Sequence, residues 1–125
     1  MSSISQLQTA LSGGPFPQTF GLTVDGAGTT LTAGSKGFVT VPYACTITNW
    51  YLVADQAGDV IFDIKRDGAT LIDPGNYPTL SAEQSANAAI SSWTSTAITA
   101  GDILEFEVIG TPAMITRVNL VIKAQ

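Results

Sequence analysis

Residues 60–68 read Val60-Ile61-Phe62-Asp63-Ile64-Lys65-Arg66-Asp67-Gly68. Val60, Phe62 and Ile64 alternate with Ile61, Asp63 and Lys65, the period of two that lays one face of a strand on a core. Asp67-Gly68 then signals a hairpin, because both residue types accept the left-handed backbone that a tight turn needs. Ala69 to Ile72 is expected to pair back as a short strand before Asp73-Pro74-Gly75-Asn76.

The same pattern recurs on both sides. Leu104, Phe106 and Val108 oppose Ile103, Glu105 and Glu107. After Gly110-Thr111-Pro112, a last strand sets Met114, Thr116, Val118, Leu120 and Ile122 opposite Arg117, Asn119 and Lys123. Upstream, strands are expected at Phe20 to Val24, at Thr29 to Thr32 and at Gly37 to Val41, the last stopped by Pro42, which has no amide to donate. Asp55-Gln56-Ala57-Gly58 and Ala100-Gly101-Asp102 read as turns. Tyr77 to Ser92 is rich in Ala, Ser and Gln with little periodicity and reads mostly as an ordered loop, although Ser81-Ala82-Glu83-Gln84 could start a single helical turn.

Cys45 to Ala54 breaks phase. Cys45 and Ile47 define one face, and Trp50, Leu52 and Ala54 fall on the other. One extra residue near Thr48-Asn49 brings all five to the same face, which predicts a β-bulge there. Asn49 tolerates the left-handed backbone that a bulge sometimes uses.

Roughly seven to nine short strands with turns every eight to twelve residues indicate an all-β fold, an antiparallel sandwich or barrel. No strand–helix alternation occurs, which excludes a parallel α/β sheet. The 125 residues suit one domain. Residues 1–17 differ from the rest: Ile4, Leu7 and Leu11 recur at helical spacing before Ser12-Gly13-Gly14-Pro15-Phe16-Pro17 ends the pattern. The expected organisation is therefore an N-terminal arm or short helix over 1–17 and a β-sandwich domain over 18–125. The arm lies either on its own domain or on a neighbouring subunit, with Ile4, Leu7, Leu11 and Phe16 as the docking side chains.

Composition narrows the function. The net charge is −5 and the five cations, Lys36, Lys65, Arg66, Arg117 and Lys123, are scattered; phosphate backbones and anionic membranes are held by clusters of cations, so neither nucleic acid nor membrane is an expected partner. Only 12% of residues are charged, about half the usual share, and a neutral, hydroxyl-rich surface suits contact with other protein. No signal-peptide pattern and no membrane-spanning apolar run is visible.

The chain has no histidine. That removes the usual general base, the commonest metal ligand and the histidine-dependent triads. The single Cys45 cannot build a zinc site and reads as a small buried hydrophobe. Glu105 and Glu107 are same-face neighbours on one strand, whereas glycosidases need carboxylates facing each other across a groove. Asp55, Asp59, Asp63, Asp67 and Asp73 lack the order of an EF-hand loop, and turn formation accounts for them. No enzyme activity, metal or cofactor is expected. Trp50 and Trp93 read as core, and Tyr77, beside Pro78 in a loop, is the aromatic best placed to stack on a glycan.

Several runs taken in order resemble a module of tailed-bacteriophage virion structural proteins. They are Val41-Pro42-Tyr43-Ala44-Cys45-Thr46-Ile47-Thr48-Asn49-Trp50, Ala54-Asp55-Gln56-Ala57-Gly58 and Phe62-Asp63-Ile64, continued by Pro78-Thr79-Leu80-Ser81, Trp93, Gly101-Asp102-Ile103-Leu104 and Thr116-Arg117-Val118. The likeness spans about residues 34–123. It implies a jelly-roll-type β-sandwich displayed on a phage capsid or tail, as a decoration (cement) protein, head fibre or tail-fibre tip, often as a homo-oligomer, a trimer. Members commonly carry Gly where this chain has Asn49. The resemblance brings no catalytic residues. Because only about thirty residues precede the module, capsid decoration is the leading expectation, in a virion protein made in the host cytoplasm and released by lysis. The alternative is a tail-fibre-tip or baseplate receptor-binding module that recognises host surface glycan.

Overall fold

A computed structural model describes residues 18–125; the expected arm, with Ile4, Leu7, Leu11 and Phe16, lies outside the described residues. Eight strands follow in order: β1 (Gln18–Asp25), β2 (Gly34–Val41), β3 (Cys45–Arg66), β4 (Ala69–Thr70), β5 (Thr79–Ala89), β6 (Ala97–Ile98), β7 (Asp102–Ala113) and β8 (Arg117–Ala124). All ladders are antiparallel, and no helix occurs among the described residues. The all-β antiparallel fold read from the sequence is the fold observed.

The organising element is β3, 22 residues long. One edge pairs with β8 from Ile47 to Ala54 and then with β7 from Asp59 to Arg66. Its other edge carries β6, β5 and β4 in turn. Since β1 continues from β8 and β2 from β7, each half of β3 anchors its own layer. The sheet order β1-β8-β3-β7-β2 thus wraps into a sandwich that is nearly closed, with β1 and β2, the ends of the path, approaching each other.

The core lies where alternation placed it. Phe62, Ile64, Leu104 and Phe106 from one half, and Leu52, Leu120 and Ile122 from the other, are fully buried. Each such side chain contributes on the order of 1.5–3 kcal/mol through burial. Trp50 and Trp93 are buried too, and the Trp93 indole donates to the Asn76 carbonyl at 3.2 Å.

The predicted bulge is present. The β3–β8 register shifts between Ile47 and Asn49, and Cys45, Ile47, Trp50, Leu52 and Ala54 are all buried. The extra residue is Thr48, whose hydroxyl donates to the Lys123 carbonyl at 3.2 Å. Asn49 keeps an ordinary backbone, so its tolerance for positive φ is not used. At Asp67-Gly68 the expected primed turn forms, with φ of 54° and 80°.

Several local expectations are corrected, among them the break at Gly110-Thr111-Pro112, which lies within β7. Asp55 to Gly58 does not reverse the chain: β3 passes straight through, irregular only in register. Thr29 to Thr32 is a loop rather than a strand. Thr79 to Ala89 is an 11-residue strand, not a loop with a helical turn. Met114 leaves the core phase, 62% exposed, because β8 begins only at Arg117.

Candidate interaction surface

Where β3 changes partner from β8 to β7, the chain also crosses between those two strands through Met114-Ile115-Thr116. Asp55 joins the two crossings. Its Oδ2 accepts from the Thr116 hydroxyl at 2.6 Å and its Oδ1 from the amides of Thr116 and Arg117 at 3.1 Å each. These bonds, the hydroxyl's first, hold the Asp55 carboxyl below the usual aspartate value. The Gln56 side-chain amide donates to the Met114 carbonyl. Gly58 packs against the same segment so closely that a Cβ would overlap the Ala113 carbonyl oxygen and stand 2.8 Å from Ile115 Cγ1.

The remaining aspartates that the sequence singled out also hold loops. Asp59 accepts from the Ala82 amide at 2.8 Å, Asp63 from the Thr70 hydroxyl at 2.5 Å and Asp73 from the Thr94 hydroxyl at 2.6 Å. Asp67 sits in the hairpin turn. Asp63, only 6% exposed, is the one buried carboxylate among the described residues. No three of Cys, Asp and Glu converge on a metal-sized point among the described residues.

Arg66 performs a second bridging task. Its guanidinium donates to the Ala97 carbonyl at 2.8 Å, to Asp102 Oδ2 at 3.1 Å and to Ser95 Oγ at 3.1 Å, tying the end of β3 to the strands that follow. Cys45 is buried nearby, and burial, with the Asp102 charge, pushes its thiol pKa up. A protonated, enclosed thiol is a poor nucleophile.

Glu105 and Glu107 face out from β7. Lys65 lies directly across from Glu105 and its ammonium reaches Glu107 at 3.0 Å; Glu107 raises the Lys65 pKa. The two glutamates are thus part of a mixed-charge outer face. Beside them stand Phe38 and Ile103, 67% and 54% exposed, on neighbouring strands with Phe38 across from Glu105 and Ile103 across from Thr40. On the other layer Tyr51 and Val53 are the exposed apolar side chains. A groove of about 400 Å³ near the β1–β2 connection is lined by hydroxyls of Thr23, Thr29, Thr30, Thr32 and Ser35 together with Lys36.

Tyr77 is half-buried and packs against the core, not on an open loop surface. Sequence reading passed over Phe38, Ile103 and Met114 as interaction candidates, since nothing in a local pattern separates an exposed apolar side chain from a buried one.

No protein-family model matches the chain, and no curated protein matches it. The solved structures that are similar include the following three. A chain of the cyanophage Pam1 capsid asymmetric unit is 15% identical with a TM-score of 0.47, over 90% of this chain and 85% of that one. A chain from a work described as CBM4 structure and function is 15% identical with a TM-score of 0.36, over 89% and 80%. A chain of the infectious bursal disease virus Gx strain is 14% identical with a TM-score of 0.31, over 88% of this chain and 36% of that one. At these identities and TM-scores the likenesses assign neither an activity nor a partner.

Proposed function

We propose that the chain is a bacteriophage virion structural protein, a capsid decoration protein of the cement or head-fibre kind, that works by protein–protein contact and carries out no catalysis. The observation that supports this most is where the residues carrying the phage resemblance fall. Cys45 to Trp50 make the bulge that buries one face of β3. Ala54 to Gly58 meet Thr116-Arg117 at the partner-changing corner, and Asp102 takes the Arg66 guanidinium. The resemblance is therefore carried by the residues that build a rigid body, and its ionisable groups serve that body.

In this reading the segment 1–17 is the attachment strap. Burying Ile4, Leu7, Leu11 or Phe16 against a capsid or a neighbouring subunit contributes on the order of 1.5–3 kcal/mol each. Repetition over a symmetric shell multiplies a modest contact through avidity. The protein is made in the host cytoplasm and leaves with the particle at lysis.

The test mixes purified full-length protein with particles that lack it and sediments them, beside an Ile4→Ser, Leu7→Ser, Leu11→Ser triple variant. The full chain is expected in the particle pellet and the variant in the supernatant. Equal pelleting of both would remove the strap from the account. Pelleting with host cells instead of particles would favour the receptor-binding alternative.

A further inference from the structure

We infer that the free edge of β5 is a self-association site, at which the same strand of a second copy adds antiparallel across a twofold axis centred on Asn87. Among the described residues β5 is hydrogen-bonded in a ladder only to β3. The register pairs Ser85 with Val53, Asn87 with Tyr51 and Ala89 with Asn49, and the Ile90 amide donates to the Thr48 carbonyl. In an antiparallel ladder that bond makes Ala89–Asn49 a non-hydrogen-bonded pair. Ala86 and Ala88 therefore turn their amides and carbonyls toward β3, while Ser85, Asn87 and Ala89 turn theirs outward.

Edges of this kind are normally guarded by lysine, proline, a bulge or a covering segment. From Ser85 to Ala89 the sequence is Ser-Ala-Asn-Ala-Ala, without charge or proline. The one bulge-like kink lies before it, at Ala82, whose φ is 52° and whose amide is taken by Asp59. It bounds the edge without blocking it.

A second copy of the strand is the occupant that fits. Antiparallel pairing centred on Asn87 sets Ser85 against Ala89 of the other copy and Asn87 against itself, so that every outward-facing residue is matched and about six backbone hydrogen bonds form. The Asn87 side chain, exposed on the outer face, is self-complementary, since an amide both donates and accepts. Charge points the same way. Two chains of net charge −5 repel, but Glu83, the only ionised side chain on β5, would sit opposite Ser91 of the other copy. The two Glu83 carboxylates would stand roughly 27 Å apart along the strand direction, well beyond the Debye length of about 8 Å. The contact is twofold and separate from the threefold assembly that the phage resemblance implies.

The test is sedimentation velocity of the full-length protein over a wide concentration range, with two variants. Asn87→Lys puts two cations face to face at the axis. Asn87→Pro removes an amide that β3 does not use, a position where an edge strand accepts proline. The wild type is expected to double its sedimenting mass as concentration rises. Both variants should shift that step several-fold higher in concentration, with thermal melting of the unassociated species unchanged. A wild type that shows no doubling at any concentration, as when residues 1–17 or another chain hold the edge, overturns the inference. Doubling that both variants retain overturns it as well.

Discussion

Asp55 owes its lowered pKa to the Thr116 hydroxyl and to the Arg117 and Thr116 amides, and a lowered folded-state pKa is a statement about stability. The stabilisation is complete above the ordinary aspartate value of about 4 and is lost as the pH falls through the folded-state value. Asp55→Asn is therefore expected to lower the melting temperature at neutral pH, and the gap between variant and wild type should close on acidification. Melts across the acid range read this directly; a gap that stays constant would mean that the carboxylate's charge is irrelevant. Gly58→Ala drives a methyl into the Ala113–Ile115 backbone path and should cost roughly 1–3 kcal/mol in urea unfolding. Met114 has the opposite expectation. Its φ of 71° is left-handed for a non-glycine residue, which is unfavourable by about 1–2 kcal/mol, so Met114→Gly should raise the unfolding midpoint. Of this corner only the residue types were legible in sequence. Asp55 read as a turn former, but it serves no turn: it accepts from Thr116, 61 positions away, and nothing local announces that partner.

Elements were legible in proportion to their alternation. Val60-Phe62-Ile64, Leu104-Phe106-Val108 and Val118-Leu120-Ile122 give strands because their polar partners face out with the same period. The break in phase between Ile47 and Trp50 was as informative as the pattern itself, since only an inserted residue reconciles it. Deleting Thr48 should turn either Cys45 and Ile47 or Trp50, Leu52 and Ala54 away from the core. Loss of the native amide dispersion in an NMR spectrum is expected, and a native-like spectrum would contradict the bulge. β5 was missed because Ala, Ser, Asn and Gln carry little strand propensity. What holds it extended is the neighbouring β3 ladder, a tertiary cause. Gly110-Thr111-Pro112 misled in the same way: turn residues there produce a register shift within β7, between its Ile109 and Ala113 pairings with β3, instead of a loop.

At the scale of the whole molecule, a 22-residue strand shared by two layers makes the sandwich one mechanical unit. Asp55 and Arg66 lock its middle and its end. No sequence pattern announces such sharing, because the partner change at Asp55 to Gly58 carries the same residues as an ordinary turn. The result presents apolar side chains at Phe38, Ile103, Tyr51 and Val53 on its outer faces and, among the described residues, a strand, β5, laddered on one edge only. Its proposed place is the outside of a phage particle. Gradient-purified virions from lysates in which this chain is made, analysed by quantitative mass spectrometry, test that proposal most directly. The chain should be present in many copies per particle, in fixed ratio to the major shell protein. Abundance in the lysate with none in the particles would contradict it.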